Sequence, residues 1–392
     1  MDVQFARRMD LFQAGIFNVL DDKKKELERT GRKVYNLSIG TPDFQPAPHV
    51  MEALSQAALR PENYKYALTE LPALLDAVQS WYRRRYGVEL ARDEIMTVYG
   101  SQEGLTHIGL AVCDPGDAVL VPNPGYPIFE MGPFLCGAKP VYYDLLPENG
   151  YLPDLDAIDP DTARAAKMMV VSYPANPVCV AAPDWFYEKL IAFAKRYNIL
   201  ILHDNAYSDI IYDGRVGGSF LRFPGAKEVG VEYNSLSKTY NLTGARISFV
   251  VGNQAVVQKF RTLRSQIDYG IFLPVQHAAI AALNGPQDGV ERQRQAYEAR
   301  RDALCGGFRS IGWDVPDSQG SMFVWAPLPK GYENSVEFCF ELLERTGLLC
   351  TPGSAFGTLG KGHVRFALVQ PPEVMAEIVE AVKRSGILDN FR

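Results

Sequence analysis

The feature that most restricts the fold is a repeated exchange of short apolar runs with amphipathic helical stretches through the middle of the chain. Residues 118–121, 168–171, 199–202 and 247–251 are short and aliphatic or β-branched, and they read as strands. Between them lie periodic stretches such as 185–197, where Phe186, Leu190 and Phe193 fall on one helical face. Strands that are apolar on both faces need cover on both sides. The alternation therefore predicts an α/β fold, a mostly parallel sheet sandwiched by helices.

The rhythm breaks at Asn284-Gly285-Pro286-Gln287-Asp288-Gly289. A long charged helix follows from 290 to about 308, then short strands around 322–325 and 364–367 and a C-terminal helix. That pattern predicts a smaller α+β domain, joined by an N-terminal arm and helix. The expected division is a large domain at 45–285 and a small domain made of 1–44 and 286–392.

A net charge of -6 argues against a nucleic-acid partner. The one basic run, Lys23-Lys24-Lys25, is flanked by Asp21, Asp22 and Glu26 and reads as a solvated helix face. No apolar run reaches membrane-span length. No apolar segment follows Arg7-Arg8, so no secretory signal is expected. The six cysteines form no C-x-x-C pair and read as reduced core thiols of a cytoplasmic protein. The five histidines lack ligand spacing, so no metal site is expected.

The chemistry concentrates around Lys238, in Ser235-Leu236-Ser237-Lys238-Thr239-Tyr240-Asn241-Leu242-Thr243-Gly244-Ala245-Arg246. A lysine amine stands among hydroxyls, with an arginine fork downstream that suits phosphate oxygens. Gly100-Ser101-Gln102-Glu103-Gly104 follows a strand-like run at 95–99 and opens a helix-like stretch, a second place for an anion. Alone, such a turn is more often only a turn.

Asp204 and Tyr207 follow the run 199–202, where ligands of α/β sheets gather. Asp204 suits a pyridine nitrogen, and Tyr207 a phenolic oxygen. Their plain readings are a helix cap and a packed ring. Tyr126, in a loop after 118–121, can stack on a cofactor ring. Asn176, after 168–171, can reach the same oxygen as Tyr207. Arg365 can clamp a carboxylate, although a lone arginine is more often a surface ion pair. Together these are the parts that pyridoxal 5'-phosphate requires: an amine, a ring-nitrogen acid and phosphate donors.

On these motifs the chain resembles the class I/II aminotransferases of the fold-type I pyridoxal-phosphate superfamily, from about Tyr35 to the C-terminal helix. The resemblance implies that Lys238 binds the cofactor and moves the substrate proton, and that Asp204, Tyr207, Asn176 and Tyr126 hold the ring. It assigns the phosphate to Ser101, Gln102, Ser235, Ser237 and Arg246. It assigns the α-carboxylate to Arg365 and the backbone around Gly40. It also implies a homodimer with shared active sites, in which Tyr66 reaches the neighbouring subunit's phosphate. The substrates implied are an amino acid and a 2-oxo acid.

Within the family the chain is most similar to the branch containing LL-diaminopimelate aminotransferases, with 2-oxoglutarate as acceptor. Relatives in that branch also use alanine, aromatic or other amino acids. Three departures stand out. Val178-Cys179 replaces a usual Thr-Gly, so the turn after Asn176 is expected to change. Leu71 and Ala245 stand where glycine and a bulky aromatic are usual, and both are expected to border and reshape the site. Phe12, Ile16 and Phe17 are candidates either to line a side-chain pocket or simply to dock the arm. Rival readings are a cysteine-conjugate β-lyase on the same scaffold, a sensor domain fused to a DNA-binding module, and a dinucleotide site. The last lacks G-x-G-x-x-G spacing.

Overall fold

The computed structural model describes residues 3–12 and 16–389. Its strands are β1 (Tyr35–Asn36), β2 (Ile95–Val98), β3 (Ala118–Asn123), β4 (Lys139–Asp144), β5 (Ala166–Ser172), β6 (Leu200–Asp204), β7 (Gly230–Ser235), β8 (Ser248–Gly252), β9 (Phe323–Pro327), β10 (Leu348–Leu349), β11 (Thr351–Pro352) and β12 (His363–Ala367). Seven of them form one sheet in the order β2-β8-β7-β6-β5-β3-β4. Only β8 runs against its neighbours β2 and β7, and the remaining pairs are parallel.

Parallel neighbours require crossovers, and helices supply them. The helix Asp184–Tyr197 buries Phe186, Tyr187, Leu190, Ile191 and Phe193 on one face. It ends at Asn198, in left-handed backbone at φ 56, which asparagine tolerates better than most residues. The strands are buried on both sides, β5 throughout except Lys167.

The long charged helix, Asp288–Ser310, leads into a separate three-stranded sheet ordered β11-β12-β9, all antiparallel. The N-terminal helix Ile16–Arg29 joins this part of the molecule. Lys23 pairs with Glu344, and β1 pairs with β10 in parallel register. Lys23, Lys24 and Lys25 all make ion pairs with nearby acids, which fits a solvated helix face.

Two strands of the seven-stranded sheet have no counterpart in the hydropathy pattern. β4 begins at Lys139 and ends at Asp144 at the sheet edge, with all but Tyr143 exposed or half-exposed. β7 carries Glu232, Asn234 and Ser235 in the sheet interior. Glu232 is fully buried and accepts from Tyr82, Ser219 and the Phe220 amide, with His203 Nδ1 alongside at 3.1 Å. Buried polar groups persist when every one is partnered, and hydropathy cannot register that. The strand expected through Tyr99 ends at Val98, because the chain turns at Gly100.

The six cysteines are free and buried. Among the described residues no helix is long and apolar enough to cross a membrane, and no group of His, Cys, Asp or Glu is arranged to hold a metal ion.

Candidate active site

The strand order brings the carboxyl ends of β2, β3, β5, β6 and β7 and the start of β8 to one sheet edge. A cleft of about 360 Å³ opens there. Twelve of the thirteen residues singled out from the sequence line it: Gly40, Ser101, Gln102, Tyr126, Asn176, Asp204, Tyr207, Ser235, Ser237, Lys238, Arg246 and Arg365.

Lys238 follows β7 in a single helical turn, Leu236–Thr239, capped by Ser235 Oγ accepting from the Ser237 amide at 3.2 Å. Its Nζ donates to the carbonyl of Gly40 at 2.7 Å. Burial, then the nearby Arg365 and Arg246, lower its pKa from 10.5 to about 8. An amine so poised is a usable nucleophile and base near neutral pH.

Gly40 must be a glycine. A Cβ there would lie 2.3 Å from Phe323 Cζ. Gly100 is constrained in the same way, at φ 88 with a Cβ position 2.2 Å from Arg246 Nη2. The Arg246 guanidinium crosses that turn, donating to the carbonyls of Thr243 and Tyr99. The turn after β2 and the lysine segment thus meet at one arginine, beside the Ser101, Ser235 and Ser237 hydroxyls.

Asp204 ends β6, is 7% exposed, and its Oδ1 has no hydrogen-bond partner among the described residues. Burial raises its pKa from 3.8 to about 6, against a small lowering by His203. Tyr207 is buried, and desolvation pushes its phenol well up. Tyr126 lines the opposite wall and is shifted up for the same reason.

Arg365, on β12, lies between the rings of Phe323 and Phe356, 4.0 and 4.5 Å from their centroids. Its Nη1 donates to Asn176 Oδ1 at 2.8 Å and its Nη2 to the Ser38 carbonyl at 3.2 Å, while Nε has no partner among the described residues. Desolvation lowers its pKa to about 10. Because Asn176 accepts through its oxygen, its amide NH2 is left to donate elsewhere.

Tyr66 does not reach this cleft. It is 75% exposed, with its ring 4.7 Å from that of Tyr269. Neither Leu71 nor Ala245 lines the cleft of this chain. Leu71 precedes the helix Pro72–Tyr86 and donates its amide to Gln276, and the half-buried Ala245 packs against the core. The turn after Asn176 keeps a glycine-like conformation without the glycine: Cys179 sits at φ 60 and donates its amide to the Ala175 carbonyl. Phe12 does not line the cleft, and the side chains of Ile16 and Phe17 lie outside the described residues.

Phe323 and Thr243 were not singled out from the sequence. Thr243 lay inside the lysine segment, where its hydroxyl was a usable signal. Phe323 gave none, because its place over Gly40 and Arg365 depends on the β9–β12 pairing.

Pyridoxal phosphate fits these donors. A neutral-leaning amine, a buried unpartnered carboxylate oxygen, the buried unpartnered Ser101 Oγ and an arginine beside three serines are complementary to its aldehyde, ring nitrogen and phosphate.

Residues 32–382 match the family model for aminotransferase class I and II. The chain belongs to that family. It is an enzyme, a pyridoxal-phosphate-dependent aminotransferase, and its substrates are an amino acid and a 2-oxo acid. Among curated members, the LL-diaminopimelate aminotransferase of Moorella thermoacetica is 43% identical over 384 residues, 97% of this chain and 98% of that one. The enzyme of the same name from Halothermothrix orenii is 42% identical, covering 95% of this chain and 96% of its own. Among solved aminotransferase-like structures, substrate-bound BacF from Bacillus subtilis superposes with a TM-score of 0.93 at 36% identity, covering 98% of both chains. A single mutant of the Thermus thermophilus aspartate aminotransferase gives 0.90 at 28%, covering 98% of this chain and 100% of that one.

Proposed function

We propose that this aminotransferase takes its amino group from LL-diaminopimelate and passes it to a 2-oxo acid such as 2-oxoglutarate, in ping-pong fashion. The observation that carries the substrate is the near-full-length identity to enzymes of that name. When bound, pyridoxal phosphate supplies an aldehyde for the substrate amine and an electron-withdrawing ring for the charge left at Cα.

The chain's own residues take the remaining tasks. The Lys238 amine would take the proton from the substrate Cα, a task that its lowered pKa suits. Asp204 holds a proton on the ring nitrogen; its unpartnered oxygen and burial support this. Tyr207 and the free amide of Asn176 would hold the ring's phenolic oxygen, and Tyr126 would lie against the ring. Ser101, Gln102, Ser235, Ser237 and Arg246 hold the phosphate. Arg365, with its partnerless Nε, takes the α-carboxylate beside the Gly40 segment.

We further assign a homodimer, with Tyr66 reaching the neighbouring subunit's phosphate; its exposure supports this. The domain division at 45–285 against 1–44 and 286–392 is supported by the separate sheets. A cytoplasmic location is supported by six unpaired cysteines.

The test is a half-reaction screen. The yellow holoenzyme is mixed with LL-diaminopimelate, alanine, glutamate, aspartate, phenylalanine or methionine, and loss of the cofactor's long-wavelength absorbance is followed. LL-diaminopimelate is expected to react fastest. A faster neutral or aromatic donor overturns the substrate. Multiple turnover by Lys238→Ala overturns the role of Lys238.

A further inference from the structure

Arg300 lies deep in the helix Asp288–Ser310, 5% exposed, and takes no part in the cleft. It is nonetheless built into the support of the cleft. Nη1 and Nη2 grip the two carboxylate oxygens of Asp43 at 2.7 Å each, and Nη1 also donates to the Leu368 carbonyl at 2.9 Å. The Phe44 and Tyr297 rings lie 4.5 and 5.5 Å from the guanidinium.

These contacts matter because of what lies at each end. Asp43 closes the segment that contains Gly40, and Leu368 lies three positions beyond Arg365. The start of that segment is fixed to β12 and β11: the Ala367 amide donates to the Leu37 carbonyl, and Arg365 and Thr351 donate to the Ser38 carbonyl. Its middle is held by Lys238 Nζ on the Gly40 carbonyl. That contact is lost when the Lys238 amine is engaged in chemistry. From then on, the bidentate Asp43–Arg300 grip holds the far side of the segment, next to the Phe44–Tyr297 ring contact.

We propose that Arg300 is a positioning residue for substrate carboxylate binding. Through Asp43 and the Leu368 carbonyl it sets the distance between the Gly40 segment and Arg365, so that both meet one carboxylate. A bidentate arginine–carboxylate pair fixes orientation as well as distance, which a lysine cannot do. The proposal rests on the carboxylate role given above to Arg365 and Gly40.

The experiment compares Arg300→Gln, Asp43→Asn and the double variant with the parent. Each single variant is expected to raise KM for the amino donor about tenfold or more, with kcat within about threefold, the signature of lost binding rather than lost chemistry. The double variant is expected to be no worse than either single, because one linkage is broken in each case. A second readout needs no turnover. In the cofactor-free protein, amide hydrogen exchange over 37–43 is expected to quicken at least tenfold, with 95–98 in the central sheet unchanged. Unchanged exchange at 37–43 overturns the proposal, as does a fall in kcat at constant KM or multiplicative losses in the double variant. If Arg300→Gln does not fold, Asp43→Asn carries the test alone, since Asp43 is partly exposed. If LL-diaminopimelate proves the wrong donor, KM is read with the donor that wins the screen, and the exchange result stands regardless.

Discussion

Asp204 should destabilise the protein that it equips for catalysis. Its carboxyl is 7% exposed, and one oxygen lacks any partner in the chain. Burial moves its pKa from 3.8 to about 6. The sign follows from linkage. A carboxyl whose folded pKa is raised penalises the folded state above that pKa and not at all below its unfolded value. At about pH 7 the penalty is about 3 kcal/mol, from roughly 1.4 kcal/mol per pH unit. Near pH 5 it has fallen to about half of that. Asp204→Asn removes the charge but leaves a buried amide with its own desolvation cost, so the net gain expected near pH 7 is about 1–2 kcal/mol. The assay is urea unfolding of the cofactor-free protein at one protein concentration, followed by tryptophan fluorescence near pH 7 and pH 5. The variant's midpoint should be higher at pH 7, and its advantage should shrink at pH 5. Adding pyridoxal phosphate should stabilise the parent more than the variant, because only the carboxylate meets a protonated ring nitrogen. An advantage that is absent at pH 7, or that does not change with pH, refutes the argument. Functional groups held at a cost to the fold are a common origin of stability–activity trade-offs.

Two further outcomes are expected. In Gly40→Ala the new methyl would lie 2.3 and 2.5 Å from ring atoms of Phe323, itself stacked on Arg365. The segment must shift, and kcat/KM should fall by roughly a hundredfold with the circular dichroism unchanged, as for other misplacements near 1 Å. The rate at which the cofactor-free enzyme recovers its yellow absorbance with pyridoxal phosphate should rise with pH and level off above about 8, where burial has set the Lys238 amine. A rise continuing towards pH 10 would mean that Lys238 is not desolvated.

Much of the site could be read from the sequence because most of its functional side chains sit at or just beyond the end of a strand, while Arg365 lies within β12. Asp204, Asn176, Tyr126 and Ser101 follow apolar runs whose residue types alone suggest strands. Lys238 follows β7, which was not recognised, yet its own segment carried enough hydroxyls and an arginine to be noticed.

The alternation of apolar runs and helical periodicities was sufficient by itself for a mostly parallel sheet, because strands buried on both faces need helices on both sides. The residue types around Lys238 were sufficient for the cofactor, because amine, acid and anion donors are chemically specific. Tertiary structure alone decided that Phe323 covers Gly40, that Phe323 and Phe356 enclose the Arg365 guanidinium, and that Arg300 ties Asp43 to the strand bearing Arg365. Most of those contacts join residues dozens to hundreds of positions apart. They follow from strand register and helix placement, which local propensity and composition do not encode.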